Sequence, residues 1–194
     1  MNAFSLSSAC ASRTGARITA ALVASFVWCA YAQNPVPPAN ANANAAAPAA
    51  APAPAAAPAP YGIGINLEQA KKALAAAEAH ARANNWGVAI AIVDSSAQLV
   101  AFSKIDSTQH ASVAISQGKA TTAVNLRRPT KALEDAIAGG GAGLRTLAIP
   151  GVMPLEGGIP IIVDGKIIGG IGVSGVLSSQ DAQVARAGLE ALTK

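Results

Sequence analysis

The stretch IPIIVDGKIIGGIGVSG, residues 159–175, limits the fold more than any other part of the sequence. Two β-branched runs flank Asp164-Gly165, a dipeptide favoured in two-residue hairpin turns, so the runs are predicted to pair antiparallel. The second run carries Gly170, Gly172 and Gly175, spaced as in the G-x-G-x-x-G fingerprint of dinucleotide-binding folds. That fingerprint needs a parallel strand–helix–strand unit and an acidic residue about 20 residues further on. Only 19 residues follow Gly175, room for one helix but not for a second parallel strand. The glycines therefore call for a packing explanation. Strict alternation puts Ile168, Gly170, Gly172 and Ser174 on one face and Ile167, Ile171 and Val173 on the other. Glycines on one face of a central strand let a helix, a second subunit or a flat ligand approach the backbone closely.

The expected partner is a helix over 108–126 (TQHASVAISQGKATTAVNL), with Ala111, Ala114, Ile115, Gly118 and Thr122 as its buried stripe. Before it, Asn66 caps a helix in which Leu67, Ala70, Leu74, Ala77 and Ala81 recur at helical spacing. Gln69 completes a capping box, and Asn84-Asn85 with Gly87 end the helix. GVAIAIVD (87–94) and QLVAFSKI (98–105) read as antiparallel strands joined by a short turn, with Val100 and Phe102 sharing a face. Pro129 interrupts the chain, and Thr130 caps a short helix through Ile137. Gly139 to Gly143 reads as a loose loop, and Ser178 or Ser179 opens a last helix to Leu192. This order predicts an α+β fold, a mostly antiparallel sheet with helices on one face.

The ends of the chain differ in kind. Arg13 and Arg17, the apolar run Ile18–Cys29 and Ala30-Tyr31-Ala32 have the layout of a secretory signal peptide over 1–32, with no retained membrane span. Both cysteines, Cys10 and Cys29, lie within it, so the mature chain is expected to form no disulfide. Residues 33–60 are almost wholly Ala, Pro, Asn and Gln, the composition of an extended, disordered linker. The folded domain is placed at 61–194. It holds twelve Lys/Arg and ten Asp/Glu, a formal charge near +2, with no basic stripe interleaved with aromatics. Nucleic-acid binding is not expected of it.

Several motifs occur in a telling order: VAIAIVD, LVAFSKID, SVAISQGKATTA, RPT, LEGGIPI and IIGGIGVSG. Together they resemble the haem-degrading, HbpS-like family, also called GlcG-like, over about 65–192. The resemblance implies a profilin-like fold with a five-stranded antiparallel sheet, and homo-oligomers. It also implies haem or another tetrapyrrole as ligand, since the family includes an exported haem-binding protein that assists a two-component sensor. Asp106-Ser107-Thr108 and Ser95-Ser96-Ala97 depart from the family's usual loop sequences, which leaves the ligand detail open. The expected role is an exported haem-binding protein, periplasmic or secreted, in haem turnover or redox sensing. A small enzyme acting on oxo or hydroxy acids, or a non-catalytic accessory protein docking on an exported partner, are the alternatives.

The candidate site residues are few. His80 and His110 are the only histidines and either can serve as an axial iron ligand; the plainer reading of each is a solvated helix histidine. Trp86, Phe102, Ile105 and Met153 can line an apolar slot for haem, or be core. Lys119, amid small residues, suits a carboxylate or a haem propionate, or an ion pair with Glu156 or Asp94. Asp94, Asp106 and Glu156 stand at strand and loop ends and, with His110, offer an acid–base set or a weak oxygen-ligand iron site. Ser174 lies between glycines but lacks the last glycine of G-x-S-x-G, since Val176 stands there.

Overall fold

A computed structural model describes residues 57–193; the expected signal peptide and most of the Ala/Pro stretch lie outside them. The elements run α1 (Leu67–Ala83), β1 (Ala89–Asp94), β2 (Leu99–Lys104), α2 (Ser112–Asn125), α3 (Thr130–Ala138), a 3₁₀ segment (Gly141–Ala148), β3 (Gly158–Val163), β4 (Lys166–Ser174) and α4 (Ser178–Glu190). All strand pairs are antiparallel, in the order β2-β1-β4-β3. The sheet thus has four strands where five were expected. The only further pairing among the described residues is a single parallel bridge between Tyr61 and Ile167.

Local chemistry sets several boundaries as read. Asn66 Oδ1 accepts from Gln69 N at 2.9 Å and Gln69 Oε1 accepts from Asn66 N at 3.2 Å, a complete capping box. Asp164 and Gly165 have φ of 49° and 72°, the left-handed pair that a two-residue hairpin turn requires. Other boundaries move. α2 starts at Ser112 because the Thr108 hydroxyl donates to Ile105 O at 2.6 Å and closes a turn there. Thr130 does not cap α3; it is the first helical residue, and its hydroxyl accepts from Gly158 N at 2.9 Å, tying α3 to β3.

Helices cover both faces of the sheet, not one. α1 and α4 pack on the face of Ile90, Ile92, Ile171 and Val173, through Ala70, Ala73, Ala77, Ala81, Val184 and Ala185. α2 lies on the opposite face, where Ala91, Val93 and Ile167 meet Ala120 and Val124. Central strand β1 is therefore buried on both sides, which is why its sequence is continuously apolar instead of alternating.

Each outer pairing carries a bulge that the alternation rule misses. On β2, Ala101 pairs with Ile92 and Leu99 with Val93, leaving Val100 as the extra residue. Val100 and Phe102 consequently join opposite cores. On β4, Gly169 pairs with Ile161 and Ile167 with Ile162, so Ile168 is extra. Beyond it the parity reverses: Ile167 faces α2 and Ile168 faces α1 and α4.

Gly170 and Gly172 do receive α2. A Cβ at Gly170 would stand 2.7 Å from Val124 Cγ2 and 2.8 Å from Ala120 O; one at Gly172 would overlap Ser116 O and Ala120 N. The helix was the expected one, but of the expected inner stripe only Thr122 is fully buried. Ser112, Ser116, Lys119, Ala120, Thr122, Ala123 and Val124 are buried, whereas Ala111 and Ala114 are exposed and Gly118 faces Met153.

Residues 59–65 strap the domain. Ile167 N donates to Pro60 O and Gly62 N to Ile167 O, both at 2.8 Å, and Ile65 N donates to Ile168 O at 2.7 Å. The Tyr61 hydroxyl donates to Val124 O at 3.0 Å at the end of α2.

Candidate functional site

The larger cleft lies at the end of the sheet where β1 begins and β4 ends. It encloses about 580 Å³, within the ordinary range for small-molecule sites. Three segments meet there: Arg82, Asn85, Trp86 and Gly87 at the end of α1 and just beyond it, Ile105 to Ser107 after β2, and Gly175-Val176 after β4. Asn85 and Ser107 adopt φ of 57° and 66°, which turns both loops sharply. A Cβ at Gly175 would lie 2.7 Å from Val88 Cα, so that glycine lets the first and third segments touch. Trp86, Ile105 and Val176 supply apolar surface; Arg82 and Asp106 supply charge.

His80 sits behind this cleft. Its ring meets Trp86 edge-on, with centroids 5.9 Å apart and planes at 60°. Its Nε2 is buried and has no hydrogen-bond partner among the described residues. Burying an unpaired polar nitrogen costs about 1–3 kcal/mol. An imidazole nitrogen not engaged in a hydrogen bond is the kind of atom that can ligate haem iron. His110 is exposed, in the turn just before α2. Of the four apolar candidates, Trp86 and Ile105 line the cleft, while Phe102 packs under α2 and Met153 packs on Gly118.

Lys119 is 2% exposed and its Nζ lies 2.8 Å from Asp181 Oδ2, also donating to Val173 O at 2.9 Å. Its acid partner is thus Asp181 on α4, neither Glu156 nor Asp94. Burial pushes the Asp181 carboxyl above its ordinary value, against the opposing pull of Lys119 and the N–H groups of Val176 and Gly175. The pair joins α2 to α4 around the end of β4. Asp181 also stands in the first turn of α4, where a negative charge suits the helix dipole.

The other acids go elsewhere. Asp94 Oδ1 accepts from Ser96 N at 2.8 Å and Gln98 N at 2.9 Å, which shapes the β1–β2 turn. Asp106 lines the cleft. Glu156 lines a smaller pocket of about 170 Å³ beside Gly157, Ala182 and Arg186, with Arg186 3.7 Å away. Ser174 is buried and its hydroxyl donates to Ser112 Oγ at 3.2 Å. Among the described residues no three His, Cys, Asp or Glu side chains cluster as a metal site. Arg82 was missed in the sequence; its signal was a cation four residues ahead of Trp86, at the end of a capped helix.

The chain is similar to several known proteins. Protein GlcG of Escherichia coli K12 is 44% identical over 91 residues, covering 47% of this chain and 66% of that protein. The chain therefore spans just under two thirds of that relative. A crystal structure of a Streptomyces reticuli HbpS double mutant superposes with a TM-score of 0.61 at 34% identity, covering 71% of this chain and 97% of that one. A PduOC:haem complex superposes with a TM-score of 0.62 at 27% identity, covering 66% and 95%. The family profile described as haem degrading protein HbpS-like matches residues 65–190, so the chain belongs to the HbpS-like family.

Proposed function

We propose that this protein binds haem, or a closely related tetrapyrrole, in the cleft between the ends of α1, β2 and β4. The observation that carries the reading is the unpartnered, buried His80 Nε2 beside Trp86, whose ring forms part of the cleft. The residues suit the ligand. Trp86, Ile105 and Val176 offer surface for an apolar macrocycle, and the Arg82 guanidinium matches a propionate carboxylate. His80 would hold the haem iron in this reading, and exposed His110 is the competing residue. Haem, when bound, supplies an iron that accepts axial nitrogen ligands and changes oxidation state. The family membership and the haem complex of PduOC support the same ligand class.

The wider reading keeps the expected setting: a signal peptide over 1–32, an Ala/Pro linker, a periplasmic or secreted domain, and a homo-oligomer. No helix among the described residues is long and apolar enough to cross a membrane. The small-enzyme alternative relied on Lys119 reaching a substrate, and the burial of Lys119 against Asp181 gives it no support. The test is a haemin titration of the protein followed at the Soret band. The band is expected to shift on binding, to be lost in His80→Ala and to persist in His110→Ala. No spectral change at micromolar haemin overturns the proposal.

A further inference from the structure

We propose that the Trp86 ring is a movable cover over His80 Nε2, and that its rotation away from the imidazole admits an iron-bearing ligand to that nitrogen from the cleft. This rests on the haem reading above. Among the described residues, His80 Nε2 is buried although no group hydrogen-bonds to it. A sealed nitrogen cannot meet a metal, so binding at His80 requires something to move. Trp86 meets both compartments: its ring lies edge-on to the imidazole, with centroids 5.9 Å apart, and the residue lines the cleft.

The local backbone favours side-chain motion over loop motion. Trp86 N donates to Ala81 O at 2.9 Å, and Asn85 N donates to Arg82 O at 3.0 Å, so the turn carrying the indole is anchored to the end of α1. Asn84 Nδ2 donates to His80 O at 2.8 Å and fixes the helix end beneath it. The indole itself is half-buried and borders the open volume of the cleft, so it has space to rotate into. The cover thus sets how readily His80 is reached, and not only how strongly the ligand is held.

Access to His80 can be measured without haem. Aquopentaammineruthenium(II) labels accessible imidazoles, and its bulk confines it to Nε2. Peptide mass spectrometry then gives separate labelling rates for His80 and His110, with exposed His110 as the internal reference. In the wild-type protein His80 is expected to label at least about tenfold more slowly than His110, the inverse of an open state populated at 10% or less. Trp86→Ala is expected to bring His80 close to the rate of His110, while Trp86→Phe stays near wild type. Stopped-flow haemin binding is expected to accelerate in Trp86→Ala by a similar factor. Equal labelling of the two histidines in the wild type, or no change of the His80 rate in Trp86→Ala, overturns the cover. Faster labelling of His80 in a protein that takes up no haemin leaves the cover standing and overturns the haem reading instead.

Discussion

Removing either half of the buried Lys119–Asp181 pair is expected to cost more than removing both. The two side chains are 2% and 3% exposed and 2.8 Å apart. Lys119→Met leaves a carboxylate enclosed with only two backbone N–H groups beside it, and Asp181→Asn leaves an enclosed ammonium. Breaking a buried pair from one side costs about 3–5 kcal/mol, a large share of the roughly 5–15 kcal/mol that holds a domain folded. In the double variant no buried charge remains. Its main loss is the partner of Val173 O, about 1–3 kcal/mol, because the substituted amide side chain on α4 still offers an oxygen to Val176 N. Urea unfolding of the four proteins measures the cycle. If the double variant costs the sum of the singles within about 0.5 kcal/mol, the pair is not an energetic unit and the reasoning fails. The pH dependence has a definite sign. Burial holds the Asp181 pKa above its ordinary 3.8, so the folded state binds that proton more tightly than the unfolded chain. The contribution is fully present below 3.8 and is lost as pH rises through the raised value. The wild-type urea midpoint is expected to fall, relative to Asp181→Asn, across that interval.

Two further substitutions test the packing around β4 and β3. Gly172→Ala sets a methyl against the backbone of Ser116 and Ala120, which cannot yield without shifting α2; a loss of about 1–3 kcal/mol or more in thermal unfolding is expected, and an unchanged midpoint would mean that the helix is not seated on the glycines. Thr130→Val keeps the shape but deprives buried Gly158 N of its acceptor, so about 1–3 kcal/mol should be lost, with amide exchange at Gly158 rising before that of β1.

What the sequence revealed and what it hid divide along range. The Asn66–Gln69 box and the Asp164-Gly165 turn depend on residues adjacent in the chain, and their side-chain or backbone chemistry admits few alternatives. The α2 stripe was misplaced because its residues are Ala, Ser, Gly and Thr, too similar in hydrophobicity to mark a face. The extra residues Val100 and Ile168 are invisible to a period-two rule, because nothing in a Val or Ile says that its neighbour strand skips it. The helices on both faces were hinted at by unbroken VAIAIV, a pattern read only as a strand. At the site, Trp86 and Ile105 were legible as apolar surface next to turns. The Lys119–Asp181 contact spans 62 residues, and Asp181 already had a local explanation at a helix start. The sealed state of His80 Nε2 depends on how the Trp86 ring is turned, which no spacing encodes.

The strap of residues 59–65 also fixes a load path. Tension on the chain ahead of residue 57 enters the domain at β4, an inner strand of the sheet, and not at an outer one. It is borne first by three backbone hydrogen bonds and by the Tyr61 hydroxyl on α2. Those few bonds act as a mechanical fuse. A pull applied at residue 57 parts them before it reaches the antiparallel ladder of β1 and β4 and the cleft at its far end, which keep their register.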